Sequence, residues 1–366
     1  MKKLIPILAA SFLLSGCVMA ARHAAHRIGT AVDPPAVHVS GPAPKALVDK
    51  LNDIARSGTP VTAIVMKDGK LLYRVDVGKI DANTRYPVAS ASKWMTAALV
   101  MTVVDEGKLN LDAPISTVLP EFRGDAGRIT LRMLLAQTAG LGNLRARVDV
   151  RQDPRITLAQ SAADIAARPL ANPPGEVFEY GGPQFQVAGA MVEKVTGRRW
   201  SDLFEERIAR PLGMTATGWE HLPARGATPA ETLNPLLQGG AVTTADDYAK
   251  FLTMLAANGR FDGRQILSER SLREMESVQT LGLKKGYLPP GVPSGWEYAL
   301  GNWCEQLAAD RSCTVVSSPG AFGTLPWIDR RTGVYGVFFL KDLLIRNSRD
   351  LRAARAAAMA APAPDD

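Results

Sequence analysis

The segment YPVASASKWMTAALVMTVV, residues 86–104, constrains the fold more than any other part of the chain. After Lys93, apolar side chains surround the predicted helix instead of lining one stripe: Trp94, Met95, Ala98, Leu99, Val100, Met101, Val103 and Val104. A helix that is apolar on every side is a buried helix. The sequence therefore predicts a helix that begins at Ser90, ends before Gly107 and lies inside a large core.

Ser90 and Lys93 stand three residues apart at the start of this helix. Residues i and i+3 share one helix face, so we expect the hydroxyl and the amine to touch. A serine becomes a good nucleophile when a neighbour takes its proton, and a lysine can do so when burial and nearby positive charge lower its pKa. The pair therefore indicates an activated nucleophile. The alternative is a helix cap beside a surface lysine.

The chain has 366 residues, of which 46% are hydrophobic, enough for a large core in one or two domains. Its net charge is +7, but the basic residues are scattered and no nucleic-acid motif is present, so no nucleic-acid partner is expected. The sequence has no phosphate-binding Gly-Lys-Ser/Thr loop and no histidine-rich spacing, and we expect neither a cofactor nor a metal ion. His221 is the only histidine after residue 44, so a Ser-His-Asp triad would depend on it alone.

Residues 1–17 have the organisation of a bacterial lipoprotein signal peptide. Two lysines precede an apolar run at residues 4–14 that is too short to span a membrane as a mature helix. The tetrapeptide LSGC then resembles a lipobox, with Cys17 as the lipidated residue; the alternative is an ordinary signal peptide. Val18 in place of aspartate favours the outer membrane, facing the periplasm. Residues 18–44, rich in Ala, Pro and His, are predicted to be a flexible tether from the lipid anchor.

Cys304 and Cys313, the remaining cysteines, are nine residues apart. An exported protein folds in a compartment that permits disulfides, so we expect these two residues to pair. In the chain-entropy model, closing so short a loop stabilises the fold by roughly 2 to 3 kcal/mol.

Strand patterns lie towards both ends of the chain and helical patterns lie between them. The predicted strands are residues 61–66, 71–77, 298–304, 314–318 and 334–340. The predicted helices are residues 45–56, 131–137, 158–167, 185–195, 200–208, 243–257, 268–275 and 347–359. This order predicts an α+β fold with an antiparallel sheet built from both termini. The predicted fold has three parts: an α/β region (45–110 and 238–345), a helical insertion (111–237), and a C-terminal helix with a frayed tail (346–366).

Several longer strings carry a family resemblance. These are SASK at residues 90–93, LDAPISTVLPEF (111–122), ITLRMLLAQTAGL (129–141), PGEVFEYGGPQFQVAG (174–189) and GGAVTTADDYAKFLTML (239–255). In this order they resemble the β-lactamase-related serine hydrolases, which include class C β-lactamases, D-alanyl-D-alanine carboxypeptidases and family VIII-type esterases. The resemblance extends from about residue 45 to about residue 345. It implies a β-lactamase/penicillin-binding-protein-like fold, with an antiparallel sheet flanked by helices and a mainly helical domain.

The resemblance also implies roles for two further segments. Tyr180-Gly181-Gly182 stands where the family has Tyr-x-Asn, and Tyr180 would shuttle the proton beside Ser90 and Lys93. Ser318-Pro319-Gly320 stands where the family has Lys-Thr-Gly or His-x-Gly. The following N–H, of Ala321, would form an oxyanion hole with that of Ser90.

Two departures from the family pattern bear on the substrate. Gly182 replaces an asparagine that holds the substrate, and Ser318 replaces a cation that helps to hold a substrate carboxylate. We therefore expect a Ser90 acyl-enzyme that acts on carboxylic esters or simple amides. The alternatives are a β-lactamase or D-Ala-D-Ala peptidase, and a membrane-anchored binding protein with little or no turnover. Four aromatic residues near the third motif can either line an acyl pocket or pack in the core: Trp296, Trp303, Phe322 and Trp327.

Overall fold

The structure is a computed structural model that describes residues 34–142, 153–219 and 232–360. The predicted signal peptide with Cys17, most of the predicted tether, and His221 lie outside the described residues. Across the described ranges, every helix is too short or too polar to cross a membrane.

An eight-stranded antiparallel sheet forms the centre of the α/β part. In spatial order its strands are β1 (Val37–Ser40), β3 (Lys70–Val77), β2 (Val61–Lys67), β15 (Val334–Leu340), β14 (Leu325–Asp329), β13 (Cys313–Ser317), β12 (Trp303–Leu307) and β11 (Glu297–Tyr298). The hairpin β2–β3 pairs with β15 from Val61↔Leu340 to Lys67↔Val334. The predicted antiparallel sheet, built from both ends of the chain, is confirmed.

Helices cover both faces of this sheet. Val337 and Phe339 of β15 belong to the core that contains α8 (Ala245–Ala256). Phe338 and Leu340 belong to the core beneath α1 (Lys45–Ala55) and α10 (Leu344–Met359). Successive side chains of a strand point to opposite faces, which is why one β15 strand serves two cores. An apolar run such as VFFL is therefore consistent with a central strand.

Helix α2 (Ser92–Asp105) is buried from Ser92 to Val103, as its apolar sequence predicts. Ser90 does not begin this helix: it lies in a 3₁₀ turn, Ala89–Ala91, that leads into it. The Ser92 side chain stabilises this turn, because it accepts a hydrogen bond from the backbone of Ala241 and donates one to the Ala89 carbonyl.

The helical part contains α3 (Gly124–Gly127), α4 (Leu131–Leu135), α5 (Leu158–Ala166), α6 (Pro183–Thr196) and α7 (Trp200–Phe204), and a π-helical turn at Glu205–Ala209. Short strands connect it to the α/β part. Strand β7 (Ala241–Thr243) pairs with β4 (Tyr86–Pro87) on one side and with β6 (Gly218–Trp219) on the other, and β5 (Val177–Phe178) pairs with β10 (Lys284–Lys285). A separate hairpin, β8 (Arg260–Phe261) and β9 (Arg264–Gln265), lies within the α/β part. Helices α8 and α9 (Glu269–Glu276) start at capping hydroxyls of Thr244 and Ser268.

The domain extends beyond the predicted boundaries at residues 45 and 345. Strand β1 falls within the predicted tether and adds an edge strand to β3. All four of its residues are exposed, so it has no apolar alternation by which the sequence could reveal it. At the other end, Leu351 and Ala354 of α10 are fully buried against α1 and the sheet, so this helix belongs to the same folded unit.

Two strand predictions in the last third were incomplete. Residues 298–304 form the end of β11, a turn and the start of β12, with Gly301 in the left-handed region at φ +83°. Strand β14 was not predicted because Pro326 interrupts its apolar run. Cys304 and Cys313 form a disulfide between β12 and β13, the pair that the sequence analysis expects.

Tyr73 joins the sheet to the C-terminal helix. Its hydroxyl donates a hydrogen bond to the Ala358 carbonyl at 3.0 Å, and its side chain is only 3% exposed. Burial raises the pKa of Tyr73 to about 12. An unfolded tyrosine titrates near 10. Because the folded value is the higher one, this contribution to stability is complete below about pH 10 and is lost as the pH rises towards about 12.

We expect Tyr73→Phe to lower the free energy of unfolding by about 1 kcal/mol at neutral pH, through the lost hydrogen bond. Between about pH 10 and pH 12 the wild type should then lose about 2 to 3 kcal/mol more than the variant. Urea denaturation of both proteins at neutral and alkaline pH measures this difference. A gap between the two proteins that does not change with pH would contradict the assignment to Tyr73.

Candidate active site

Ser90 is presented on a strained and anchored turn. The preceding residue, Ala89, has a left-handed backbone with φ +46°, which is unfavourable for a residue other than glycine. Val88 donates its N–H to the Ala241 carbonyl at 3.0 Å, and the Ser92 hydroxyl holds the other side of the turn. The strain is thus maintained by contacts to β7, and it directs Ser90 into a cavity.

The Lys93 amine meets Ser90 as the helical spacing predicts. Nζ donates hydrogen bonds to Ser90 Oγ at 3.1 Å and to the backbone carbonyl of Gln238 at 2.8 Å. It also lies 4.5 Å from the ring centre of Tyr180 and 5.6 Å from that of Phe185. Lys93 is only 2% exposed, so the interpretation as a surface lysine is wrong.

Tyr180 lies beside the pair, at the end of the segment that follows β5. Its backbone N–H donates to the Tyr287 carbonyl at 3.0 Å, and its ring stacks on Trp303 at 5.4 Å between centroids. Burial raises the pKa of the Tyr180 phenol well above its ordinary value, and the hydrogen-bonding interaction with Ser90 lowers it by a smaller amount. The phenol therefore stays protonated at neutral pH.

The third segment approaches Ser90 from the end of β13. Ser318 is 3% exposed, and its hydroxyl donates to the Ser90 carbonyl at 3.4 Å. A Cβ on Gly320 would lie 2.0 Å from the Val88 carbonyl oxygen, so only glycine allows this strand end to pack against the turn. Ala321 follows and lines the same cavity as Ser90. The oxyanion hole of the Ser90 and Ala321 amides remains a prediction.

The cavity has a volume of about 400 Å³ and a mostly uncharged wall. Its lining residues are Ser90, Lys93, Tyr180, Gly181, Gly182, Gln238, Tyr287, Pro289, Pro290, Val292, Pro319, Ala321, Leu343, Leu344 and Ile345. Among these described residues Lys93 is the only one with a charged side chain, and its amine already contacts Ser90 and Gln238. Prolines and aliphatic residues supply eight of the fifteen lining residues, which suits an apolar, neutral ligand.

The described residues that line this cavity do not include the four aromatic residues near the third motif. Trp303 and Trp296 pack with Tyr180 in a small aromatic core, whereas Trp327 packs on Phe338 on the far side of the sheet. Phe322 is half-buried beyond the cavity wall. The alternative that these residues serve as core is therefore correct for the three tryptophans.

Sequence reasoning missed eight of the cavity residues, and two of them, Gln238 and Tyr287, form hydrogen bonds to the predicted site residues. Both act on the predicted site through backbone carbonyls, which accept from Lys93 and from the Tyr180 N–H. Any residue type has such a carbonyl, so no sequence signal identifies these positions. Gln238 also presents a carboxamide whose Oε1 is buried and has no hydrogen-bond partner among the described residues. In the described ranges, no cluster of His, Cys, Asp or Glu side chains could hold a metal ion.

The fold is of the β-lactamase type, as comparison with known proteins shows. The profile of the Beta-lactamase family matches residues 46–360, and the chain belongs to this family of serine hydrolases. The match includes the C-terminal helix, so the family region extends past the predicted limit near residue 345.

Similar proteins include esterases and amidases. A solved structure from Bacteroides dorei DSM 17855, described as a “putative beta-lactamase”, is 32% identical, with a TM-score of 0.75 over 85% of this chain and 97% of that chain. Esterase EstB of Burkholderia gladioli is 30% identical over 229 residues, which are 54% of this chain and 57% of EstB. A D-stereospecific amidohydrolase from Streptomyces sp. is 23% identical, with a TM-score of 0.65 over 87% of this chain and 99% of that chain, and shares the fold.

The approach of Gly320 to Val88 provides a test of the geometry. Gly320→Ala must push the third segment away from the turn that carries Ser90, because the added Cβ would overlap the Val88 oxygen. Since small displacements of reacting groups have large effects on rate, we expect kcat/KM for any substrate of this site to fall by about 10- to 100-fold.

Gly218→Ala is a matched control, because a Cβ there has nothing within 4 Å. It should leave kcat/KM within about twofold of the wild type. Equal activity of the two variants, at equal melting temperature, would show that the contact at Gly320 does not position the site.

Proposed function

We propose that this protein is a serine hydrolase that forms an acyl-enzyme on Ser90 and acts on neutral carboxylic esters or simple amides. The observation that carries the proposal is the 3.1 Å hydrogen bond between Lys93 Nζ and Ser90 Oγ, inside a cavity with no other charged lining residue among those described. Membership of a serine hydrolase family and similarity to an esterase support it.

The first half of the reaction transfers the acyl group to Ser90. The Ser90 oxygen attacks the substrate carbonyl, while its proton passes to the Lys93 amine directly or through the Tyr180 phenol. Because burial keeps that phenol protonated, it can only relay a proton, by giving one to Lys93 as it takes one from Ser90. The amides of Ser90 and Ala321 hold the oxyanion, and each such donor contributes on the order of 100- to 1000-fold in rate. The bond to the leaving alcohol or amine then breaks, and Lys93 and Tyr180 return the proton to that leaving group.

Hydrolysis of the acyl-enzyme runs through the same residues in reverse. Water attacks the acyl carbon and gives a proton to the Tyr180–Lys93 pair. The carbon–oxygen bond to Ser90 breaks, the carboxylic acid leaves, and the serine hydroxyl regains its proton. General acid–base assistance of this kind contributes typically 100- to 10,000-fold in rate.

The cavity wall supports the choice of a neutral substrate. Gly182 immediately precedes helix α6 and has no side chain with which to hold a substrate amide. Ser318 is uncharged and hydrogen-bonded to the turn that carries Ser90. A substrate carboxylate would therefore enter a mostly apolar cavity without a free cation among its described lining residues, and its desolvation would be uncompensated. An ester or amide without a carboxylate avoids this cost.

A substrate panel tests the proposal. We expect the wild type to hydrolyse p-nitrophenyl butyrate with a kcat/KM at least about 10-fold above those for nitrocefin and for an acyl-D-Ala-D-Ala peptide, which carry carboxylates. Ser90→Ala should lower ester turnover by at least about 1000-fold. The control is Ser277→Ala, at an exposed serine outside the cavity, which should not change turnover.

The same panel separates the alternatives. Faster turnover of nitrocefin than of the ester would favour a β-lactamase. Faster turnover of the peptide than of the ester would favour a D-Ala-D-Ala peptidase. Covalent labelling of Ser90 by a fluorophosphonate without multiple turnovers of any substrate would favour a membrane-anchored binding protein. Undiminished ester hydrolysis by Ser90→Ala would eliminate the serine mechanism.

We also propose that the protein is exported and anchored by a lipid on Cys17, with its folded domain in the periplasm. The support is the order of a basic start, an apolar run and LSGC in the sequence. Mass spectrometry of the protein from membranes of a bacterial host should find Cys17 as a diacylated first residue. Cys17→Ser should abolish this modification and move the protein out of the membrane fraction. A mature, unlipidated wild type would disprove the anchor.

A further inference from the structure

We propose that Gln137 is a positioning residue that holds Tyr180 at the reacting serine. This inference rests on the proposed function, because it concerns the phenol that would relay the proton. The residue is not among the cavity-lining residues. It falls in ITLRMLLAQTAGL (129–141), one of the strings that carry the family resemblance, but the sequence analysis assigns it no role. What assigns the role is a pair of hydrogen bonds on either side of Tyr180.

Gln137 holds the backbone on both sides of Tyr180. Its carbonyl accepts the N–H of Glu179 at 2.9 Å, and its side-chain Oε1 accepts the N–H of Gly181 at 2.9 Å. The N–H of Tyr180 itself donates to Tyr287 at 3.0 Å. Three consecutive amides are thus fixed, two of them by one residue. Gln137 has no exposed surface, so water cannot easily replace either bond.

The backbone at Gln137 makes the choice of residue unusual. It follows helix α4 in the left-handed region, with φ +64°. The Gln137 N–H donates to Leu134 O at 3.2 Å and the Thr138 N–H to Met133 O at 2.9 Å, the pattern of a Schellman ending. Glycine is the usual residue at this position, because a side chain makes the left-handed conformation unfavourable.

A glycine at position 137 would end the helix with less strain, but it could not reach Gly181. The Gln137 side chain spans this distance to an amide 44 positions away in sequence. The strain is therefore best explained by the need to hold the segment that carries Tyr180. Functional sites commonly retain such strained residues where the surrounding structure compensates.

The ring of Tyr180 also contacts two other aromatic rings, but these contacts do not fix the position of its hydroxyl relative to Ser90. Trp303 stacks on one face at 5.4 Å, and Tyr298 meets it edge-on at 5.9 Å. Ring contacts of this kind permit sliding in the plane of the stack. The backbone bonds to Gln137 restrict that sliding, so they would keep the hydroxyl within reach of Ser90 and Lys93.

The test is a double-mutant cycle measured on p-nitrophenyl butyrate. Gln137→Met keeps the length of the side chain but removes the acceptor for Gly181. We expect it to lower kcat by about 10-fold or more with KM changed less than about threefold, because the proton relay is displaced while the cavity remains. In a Tyr180→Phe background the same substitution should lower kcat by less than about twofold, because the group that it positions is already absent.

A second variant, Gln137→Asn, distinguishes loss of the hydrogen bond to Gly181 from a general loss of folding. Asparagine tolerates the left-handed backbone but is one methylene too short to bond Gly181 in the same way. It should reproduce the kcat loss with little change in melting temperature. Thr62→Val is the control for removal of a remote buried hydrogen bond, here the one to Asp76 at 2.6 Å, and should leave kcat unchanged.

Each failure has a distinct meaning. The inference is overturned if the Gln137 variants keep wild-type kcat, or if their losses are equal in the wild-type and Tyr180→Phe backgrounds. It is also overturned if Tyr180→Phe alone turns over normally. None of these results removes Ser90 as the nucleophile. Only undiminished hydrolysis by Ser90→Ala does that, and it would refute the proposed function itself.

Discussion

Burial of the Lys93 amine against the Ser90 hydroxyl is the constraint on which the candidate site depends. A polar group removed from water must find partners, or its burial costs several kcal/mol. The partners of Lys93 are Ser90 Oγ at 3.1 Å and the Gln238 carbonyl at 2.8 Å, beside the ring of Tyr180. The segments that contain Gln238 and Tyr180 must therefore close over the start of helix α2. Burial of that helix and assembly of the site are one packing event.

The site lies where the two parts of the fold meet. Helix α2 and the turn before it supply Ser90, the end of β13 leads to Gly320 and Ala321, and the helical part supplies Tyr180. Each of these segments is held by a backbone contact, such as that of Gly320 with Val88. These contacts leave little freedom for the reacting groups. The proposed acyl transfer would need such preorganisation, because its donors must already face the developing oxyanion. The same closeness explains why a single methyl group at Gly320 should be harmful.

Elements with strong local signals were predicted well. The apolar run of β15, the β2–β3 hairpin and the buried helix α2 all follow from neighbouring residues, as do the helices that begin after Thr244 and Ser268. The failures lack such signals: β1 has no buried face, and β14 contains Pro326. The turn between β11 and β12 lies within an aromatic run whose pattern resembles one strand. In each case the pairing of the strand determines the conformation instead of the local composition, and for β1 the partner β3 lies more than 30 residues away.

The sequence by itself determined that Ser90 and Lys93, three residues apart, would be neighbours, and the order of its motifs indicated the family. Only the tertiary structure decided that Tyr180 and Ala321 line one cavity with this pair and that Ser318 bonds to the Ser90 carbonyl. It also decided that prolines and aliphatic residues form much of the lining, and that Gln137 and Gln238 support the site. The reason is physical. Spacing of three or four residues fixes which side chains are neighbours on a helix. The bonds of Lys93 to Gln238 and of Ser318 to Ser90 span 145 and 228 positions, so they exist only once the whole core is packed.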